Sequence, residues 1–234
     1  MEFFVGTSGW YYPWNEKRSL DWFVANAGLN AVELNASFYR FPLSSKIKSW
    51  ARKGKSLRWA VKVNRLITHT FKFSDKASNI WQKFRELFAP LDECIDFYLF
   101  QLPPRTTSES AAAVIEEFAE KTGLRRRFAL EVRNLEWFND AWVSWASKVG
   151  ITLVSVDSPD FPLSVFNTSG LVYERMHGRK EWYAYTYSDR ELEETAEKIV
   201  KAKPEKAYVF FNNDVAMLEN ARTMLKILKD KASL

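Results

Sequence analysis

Eight short apolar runs, separated by amphipathic stretches, restrict the fold of this chain more than any other feature. The runs are rich in β-branched and aromatic residues and do not alternate strictly between polar and apolar positions, which is typical of parallel strands buried on both faces. They cover residues 3–8, 31–35, 58–64, 95–101, 128–133, 151–157, 171–177 and 207–212. The sequence therefore predicts eight strands of a parallel sheet.

The stretches between these runs carry apolar residues at helical spacing. They predict helices over residues 19–27, 44–52, 79–89, 108–121, 139–148, 189–202 and 215–228, with Ser108 as an N-cap. Eight strand–helix units in 234 residues predict an α/β fold, a single (β/α)8 TIM-type barrel that spans residues 1–234 as one domain. Residues 158–170 contain Pro159 and Pro162, so we expect a short or irregular sixth helix.

An open, doubly wound sheet is the alternative fold. Such sheets usually carry a glycine-rich phosphate loop after the first strand, and the segment from Gly6 to Trp10 lacks that spacing. The closed barrel is therefore the favoured prediction.

Nearly every predicted strand ends in a polar side chain. Alternate residues of a strand point the same way, so Glu33 and Asn35 should share a face, as should Glu131 and Arg133. The barrel mouth, at the C-terminal ends of the strands, is where TIM-type barrels hold their sites. Residues expected to meet there are Ser8, Glu33, Asn35, Lys62, Asn64, Gln101, Glu131, Arg133, Asp157, Arg175, His177 and Asn212. The alternative is a structural ion network in which three carboxylates and three cations satisfy one another.

The same positions carry a resemblance to a known family. The matching stretches are residues 6–10, 32–39, 62–69, 101–104, 131–133, 173–178 and 210–221, in order and over almost the whole chain. The chain resembles the domain of unknown function 72 family, the YecE-like proteins. That resemblance implies a TIM-type barrel and brings no settled activity.

Hydrolysis of a phosphoester, in a nucleotide, a nucleic acid or a sugar phosphate, is the leading functional hypothesis. Glu131 or Asp157 is the candidate general base, and His177 or His69 the candidate proton donor. Lys62, Arg133 and Arg175 would hold the anion. Further candidate substrate-binding residues, all near the mouth, are Glu33, Asn35, Gln101, Asn212, Trp10 and Tyr39.

Several alternatives stay open at this stage. A divalent metal, Mg²⁺ or Mn²⁺, could bind Glu33, Glu131 and Asp157, because both metals prefer oxygen ligands. The pair Glu33 and Glu131 could instead serve a glycoside hydrolase. A Schiff-base enzyme using Lys62 needs a lowered lysine pKa, which nearby carboxylates would oppose. The same residues would also suit a non-catalytic protein that binds a nucleic acid or an anionic metabolite.

Charge and composition restrict the setting of the protein. The formal net charge of +5 favours an anionic partner. Its densest basic run, at residues 125–127, precedes a predicted strand and should lie at the opposite end of the barrel from the mouth. The single cysteine, Cys94, rules out a disulfide within the chain. With no long apolar run and no leader pattern, we expect a cytoplasmic protein without membrane contact.

Overall fold

A parallel sheet curled into a nearly closed barrel organises the computed structural model, which describes residues 1–232. Every strand pairs in parallel with its neighbours, in the order β6-β5-β4-β3-β2-β1-β9-β8-β7. The strands are β1 Glu2–Thr7, β2 Ala31–Leu34, β3 Arg58–Lys62, β4 Ile95–Gln101, β5 Phe128–Glu131, β6 Thr152–Leu153, β7 Ser155–Asp157, β8 Leu171–Met176 and β9 Lys206–Phe211. The predicted TIM-type barrel is confirmed.

The sixth predicted strand is divided in two. β6 pairs only with β5 and β7 only with β8, and the division falls at Val154. The Val154 amide still donates to the Leu130 carbonyl at 2.9 Å. The nine observed strands therefore correspond to eight strand positions, and the curled sheet is least continuous at Val154.

The helices surround the sheet. They are α1 Leu20–Asn26, α2 Ser44–Lys53, α3 Asp75–Phe88, α4 Ser108–Thr122, α5 Asp140–Val149, α6 Asp189–Lys201 and α7 Met217–Ala232. The prediction for α3 was wrong at its start, because the helix begins at Asp75, before its first apolar repeat. The N-cap of α4 was also wrong by one residue: Thr107 caps the helix, and its hydroxyl accepts from the Ser110 amide at 3.4 Å. Residues 158–170 form turns and bends, as expected.

Two buried layers hold the strands in place. The barrel interior is filled by Ala31, Ala60, Phe97, Leu99, Ala129, Val154, Val156, Leu171, Tyr173, Tyr208 and Phe210. The opposite strand faces pack against the helices. Small residues are needed where strands approach closely: a Cβ on Gly6 would lie 2.2 Å from the Ala31 carbonyl oxygen. The interior of the barrel is therefore packed below the polar strand ends.

The basic run at the other end of the barrel is largely neutralised. Arg125–Arg127 forms a short 3-10 turn before β5. Arg126 pairs with Glu205 at 2.8 Å, and Arg127 with Asp92 at 2.7 Å. This run lies away from the mouth, as predicted. None of the helices within residues 1–232 is long and apolar enough to cross a membrane.

Candidate functional site

Charged side chains from four separate strands meet at the barrel mouth. Lys62 and Glu131 are the last residues of β3 and β5. Glu33 and Arg175 are each one residue before the end of their strands, β2 and β8. Their common placement follows from the pleat, because each points inward at the C-terminal end of its strand. Together with Arg133 and His177, these side chains are called the mouth cluster below.

Arg175 holds the centre of the mouth cluster. Its Nε donates to Glu33 Oε2 at 2.9 Å and its Nη2 to Glu33 Oε1 at 2.6 Å, a bidentate pair. Its Nη1 donates to Glu131 Oε2. The Arg175 side chain is 1% exposed and both carboxylates are fully buried. One guanidinium therefore bridges two carboxylates across the barrel.

Glu33 accepts several further hydrogen bonds. The Ser8 hydroxyl lies 2.7 Å from Oε1, the Asn35 amide nitrogen 2.9 Å from the same oxygen, and the Tyr173 hydroxyl 2.5 Å from Oε2. Burial alone would raise the pKa of Glu33, but Arg175 and these donors outweigh it and the pKa is lowered. Glu33 is therefore an ionised carboxylate whose oxygens are all occupied.

Glu131 is held in the same way. Its Oε1 accepts from Arg133 Nε and, at 3.0 Å, from the Gln101 side chain. Burial opposes ionisation, but the charges of Arg133 and Arg175 prevail and the pKa of Glu131 lies well below its usual range. A carboxylate held this firmly is a weak base, so the predicted role of Glu131 as general base is not favoured.

His177 lies at the centre of a hydrogen-bonded chain and is fully buried. Arg133 Nη2 is 3.3 Å from His177 Nε2, and the Asn212 amide is 3.2 Å from Nδ1. Because arginine can only donate, Nε2 accepts from Arg133, and the Asn212 contact to Nδ1 is made by the side-chain amide nitrogen. Burial, then the charges of Arg175 and Arg133, lower the pKa of His177 far below its usual value. The ring is neutral and its nitrogens are occupied.

Lys62 differs from the other cations of the mouth cluster. Within residues 1–232 its ammonium group makes no hydrogen bond or ion pair, and it lies 4.3 Å from the centroid of the Phe38 ring. Burial, then the charge of Arg175, lower the pKa of Lys62 to about 8. The side chain is partly exposed. Lys62 therefore has unused donors in a partly buried position at the mouth.

His69 belongs to a short π-helical segment, Leu66–Thr70, and lies near Lys62 of β3. Its Nδ1 is 2.8 Å from the Thr68 hydroxyl, and its ring packs edge-on against Phe38 at 5.1 Å. Burial, then the charge of Lys62, lower the pKa of His69. Its Nε2 makes no hydrogen bond to the described part of the chain. Of the predicted acid–base residues, His69 alone has a free ring nitrogen near the free lysine.

Asp157 does not join the mouth cluster. Val156 points into the barrel, and Asp157 points the other way, towards the helices. Arg179 Nε donates to it at 3.1 Å and the Tyr187 hydroxyl at 2.9 Å. With the neighbouring Glu174 of β8, these residues form what we call the outer cluster. The prediction that Asp157 acts at the mouth was therefore wrong.

The predicted donor set for a divalent metal is not assembled either. Arg175 lies between Glu33 and Glu131, and Asp157 belongs to the outer cluster. Within residues 1–232, no group of three or more His, Cys, Asp or Glu side chains could hold a metal ion.

The two predicted aromatic contacts lie at the rim, outside the mouth cluster. Trp10 packs edge-on against Trp50 and Trp59, with ring centroids 5.5 and 5.7 Å apart. It lines a rim cavity of about 520 Å³ that also includes Ser8 and Asn35. Tyr39 is 72% exposed and rests against Phe38. Of the other predicted residues, Asn35, Gln101 and Asn212 contact the mouth cluster directly.

Sequence reasoning missed two members of the mouth. Tyr173 could have been found, because it lies two residues before Arg175 on the same strand face. Trp182 could not, because it comes from an irregular loop after β8. Its ring covers Arg133 at 4.7 Å and His177 at 5.2 Å. Trp182 closes one side of the mouth.

Comparison with known proteins places the chain in a family. The family described as "Protein of unknown function DUF72" matches residues 4–234. The chain belongs to this family. A DUF72 protein of Thermotoga maritima is 25% identical, with a TM-score of 0.81 and 100% of both chains covered. A DUF72 protein of Enterococcus faecalis is 22% identical, with a TM-score of 0.82 and coverage of 97% of this chain and 95% of the other.

The family assignment confirms the resemblance read from the strand ends. No curated protein matches the chain. The structural neighbours support the barrel fold of this DUF72 member and carry no reaction with them, so function has to be argued from the mouth cluster itself.

Proposed function

We propose that this DUF72 protein binds a small anionic molecule, carrying a phosphate or carboxylate group, at the barrel mouth. One observation carries the proposal: the mouth cluster contains an uncompensated positive charge. Three cations, Lys62, Arg133 and Arg175, face two carboxylates, Glu33 and Glu131, and His177 is neutral. Both carboxylates are committed to the two arginines, so the charge of Lys62 has no partner among residues 1–232.

The free donors belong to the two partly exposed cations of the cluster, Lys62 and Arg133. Lys62 has its ammonium hydrogens unused, and Arg133 uses Nε for Glu131 and Nη2 for His177, which leaves Nη1. A phosphate or carboxylate binds well to a lysine and a guanidinium edge that converge on one point. The Arg133–Glu131 and Arg133–His177 bonds hold the guanidinium before a ligand arrives, which reduces the entropy lost on binding.

A small ligand fits the charge distribution better than a polynucleotide. The basic run at Arg125–Arg127 lies at the opposite end of the barrel, where Glu205 and Asp92 neutralise two of its members. It therefore does not extend the positive mouth into a track that a nucleic-acid backbone could follow.

The reaction proposed at this site is hydrolysis of a phosphoester. Glu131 and His177 are held by hydrogen bonds, so His69, with its free Nε2 and a lowered pKa, is the remaining candidate to transfer a proton. Lys62 and Arg133 would stabilise the negative charge on the phosphoryl group. A protein that binds without turnover is the second candidate, favoured by how many acid–base groups of the mouth cluster are already hydrogen-bonded.

Glycoside hydrolysis is less well supported. It needs one carboxylic acid with a raised pKa to protonate the leaving group. The pKa values of Glu33 and Glu131 are both lowered, and one arginine bridges the two.

Calorimetric titration with inorganic phosphate and with a phosphomonoester tests the binding proposal. Lys62→Met should weaken binding about 10-fold or more, the loss of one charge-assisted contact. Lys83→Met, an exposed position on α3, is the matched control and should bind as the wild type does. Equal binding by Lys62→Met and wild type would remove the basis of the proposal.

Phosphate release from a panel of phosphomonoesters and diesters tests the reaction. If a substrate is found, His69→Gln should lower kcat about 100-fold while KM changes little. Tight binding with no release from any ester would instead select the binding protein.

A further inference from the structure

Lys62 is the one mouth-cluster cation that the ion network does not use, and we propose that its amine forms a covalent imine with an aldehyde or ketone carrying a phosphate or carboxylate group. The inference goes beyond phosphoester hydrolysis and rests on the anion binding proposed above. It assigns to Lys62 a nucleophilic role in addition to its charge.

The surroundings of Lys62 leave its nitrogen available for attack. Glu33 lies on β2, next to the β3 strand of Lys62, and Glu131 lies on β5, beyond β4. The oxygens of these two carboxylates accept hydrogen bonds from Arg175, Arg133, Gln101, Ser8, Asn35 and Tyr173, and neither carboxylate hydrogen-bonds to Lys62. Its nitrogen lies 4.3 Å from the centroid of the Phe38 ring, which offers no conventional hydrogen-bond acceptor.

The nearby carboxylates do oppose a lowered lysine pKa, as expected, but they are outweighed. Burial and the charge of Arg175 outweigh Glu131 and Glu33, and the pKa of Lys62 falls to about 8. An ordinary lysine has a pKa near 10.4, so at pH 7.5 roughly a quarter of Lys62 would be the neutral amine against about 0.1% of an ordinary lysine. Only the neutral amine attacks a carbonyl carbon.

A proton carrier lies beside this amine. His69 packs on the same Phe38 ring, at 5.1 Å, and its Nε2 is free of partners in the described chain. In the addition step the Lys62 nitrogen bonds to the carbonyl carbon as the C=O π bond opens, and one nitrogen proton passes through His69 Nε2 to the carbonyl oxygen. In the second step the C=N bond forms as the C–O bond breaks. His69 takes the remaining nitrogen proton and delivers it to the departing hydroxyl, which leaves as water. Amine and carbonyl thus give imine and water, with no oxidant or reductant needed.

The charge of the mouth selects the carbonyl compound. Once Lys62 is neutral, Arg133 keeps an unused Nη1 donor, held in place by Glu131 and by the Trp182 ring at 4.7 Å. That donor would bind the anionic end of a short substrate while its carbonyl meets Lys62. Sugar phosphates with an open-chain aldehyde or ketone, and 2-oxo acids, have this chemistry.

Reductive trapping tests the proposal. The wild-type protein is incubated at pH 7.5 with glyceraldehyde 3-phosphate and sodium cyanoborohydride, and each lysine is quantified by peptide mass spectrometry. We expect Lys62 to be modified at least about 10-fold faster than the exposed Lys83. Modification of Lys62 at or below the rate of Lys83 would overturn the proposal, whatever the outcome of phosphate titration.

Three comparisons separate the imine from the proposed anion site. Lys62→Arg keeps the charge, so it should still bind phosphate but should not form the fast adduct. A fast adduct at another lysine of that variant would contradict the assignment of the imine to Lys62. Uncharged glyceraldehyde should react with Lys62 about 10-fold more slowly than its phosphate. Equal rates for the two aldehydes would leave the imine standing and contradict the anion site. His69→Gln should slow adduct formation while phosphate binding persists, the result expected of a proton carrier.

Discussion

The mouth cluster and the outer cluster bury carboxylates at similar depth and shift their pKa values in opposite directions. Glu33 and Glu131 are fully buried and have lowered pKa values. Asp157 and Glu174 are 3% and 2% exposed and have raised pKa values. Burial pushes all four towards the neutral acid, so the difference lies in the donors.

Counting donors explains the contrast. Arg175 and Arg133 supply the mouth carboxylates with guanidinium hydrogen bonds on each oxygen. In the outer cluster Arg179 reaches Asp157 only, and Glu174 Oε2 has no hydrogen-bond partner within residues 1–232. The neighbouring Asp157 charge then raises the pKa of Glu174 further, after burial. Two arginines lower the pKa of both mouth carboxylates, whereas Arg179, which also pairs with Glu194, does not offset the burial of Asp157. Burial depth alone therefore does not decide the direction of the pKa shift.

Removing Arg175 would break the contrast most severely. Arg175→Met leaves two buried carboxylates without their shared cation, and we expect a loss of about 3–5 kcal/mol in the free energy of unfolding. Urea denaturation measures it. The exposed Arg190, paired with Glu194 on α6, provides the control Arg190→Met, for which the change should stay below about 1 kcal/mol.

Arg175→Met could leave too little folded protein to measure. The triple variant Arg175→Met, Glu33→Gln, Glu131→Gln removes both uncompensated charges and should recover much of the lost stability. A triple variant no more stable than the single one would show that packing, not charge, dominates at Arg175.

Glu131→Gln should have the next largest effect. The pKa of Glu131 is lowered in the folded state, so its contribution to stability is present above the unfolded pKa near 4.5 and is lost as the pH falls below that value. The variant should be about 2–3 kcal/mol less stable at pH 7 and should lose less stability than wild type on acidification. Thermal unfolding between pH 3 and pH 7 follows both changes. An unchanged acid response would contradict the assignment of an ionised Glu131.

Glu174→Gln should act in the opposite direction. The raised pKa of Glu174 means that the folded state holds its proton longer, so wild-type stability falls as the pH rises above about 4.5 towards the folded-state pKa. Glutamine has no proton to lose. We expect a gain of about 1 kcal/mol at pH 8 and a flatter stability curve between pH 5 and pH 9. A destabilised variant at pH 8 would show that Glu174 is ionised and paired after all.

Trp182→Leu should have the smallest effect on stability of the four substitutions. The Trp182 ring lies over Arg133 and contributes a cation–π interaction, so we expect a loss of about 0.5–1 kcal/mol. Binding of inorganic phosphate should weaken up to about 5-fold, because the guanidinium becomes less well held. Calorimetric titration at one pH is sufficient, with the exposed aromatic Tyr11→Leu at the rim as the control for losing a ring.

The sequence predicted the barrel because its signals are local and repeated. Each strand is a short run bounded by an amphipathic helix, and the observed bounds mostly fall within one or two residues of the pattern. α3 begins earlier because Asp75 and Lys76 are polar residues in the first turn, which a search for apolar spacing does not count. The division at Val154 left no signal, since Leu153, Val154 and Val156 continue the apolar run across it and the single Ser155 is ordinary within a strand.

The mouth was predictable where strand parity could be read. Polar residues two apart, such as Glu131 and Arg133 or Arg175 and His177, fix the inward face of their strands. Residues 151–157 are buried on both faces, so nothing in the pattern shows that Val156 points inward and Asp157 outward. The charge states were not predictable either, because they depend on which arginine reaches which carboxylate across the barrel.

The division of the sixth strand at Val154 gives the mouth cluster a structural role in addition to its charge. Strand pairing is interrupted between β6, which pairs only with β5, and β7, which pairs only with β8. The Arg175–Glu131 pair and the Arg133–His177 contact each connect β5 to the C-terminal end of β8. These side-chain contacts span the interruption, where backbone pairing between β6 and β7 is lacking. Substitution of Arg133 or Arg175 would therefore remove side-chain contacts that connect β5 to the β8 end across this interruption.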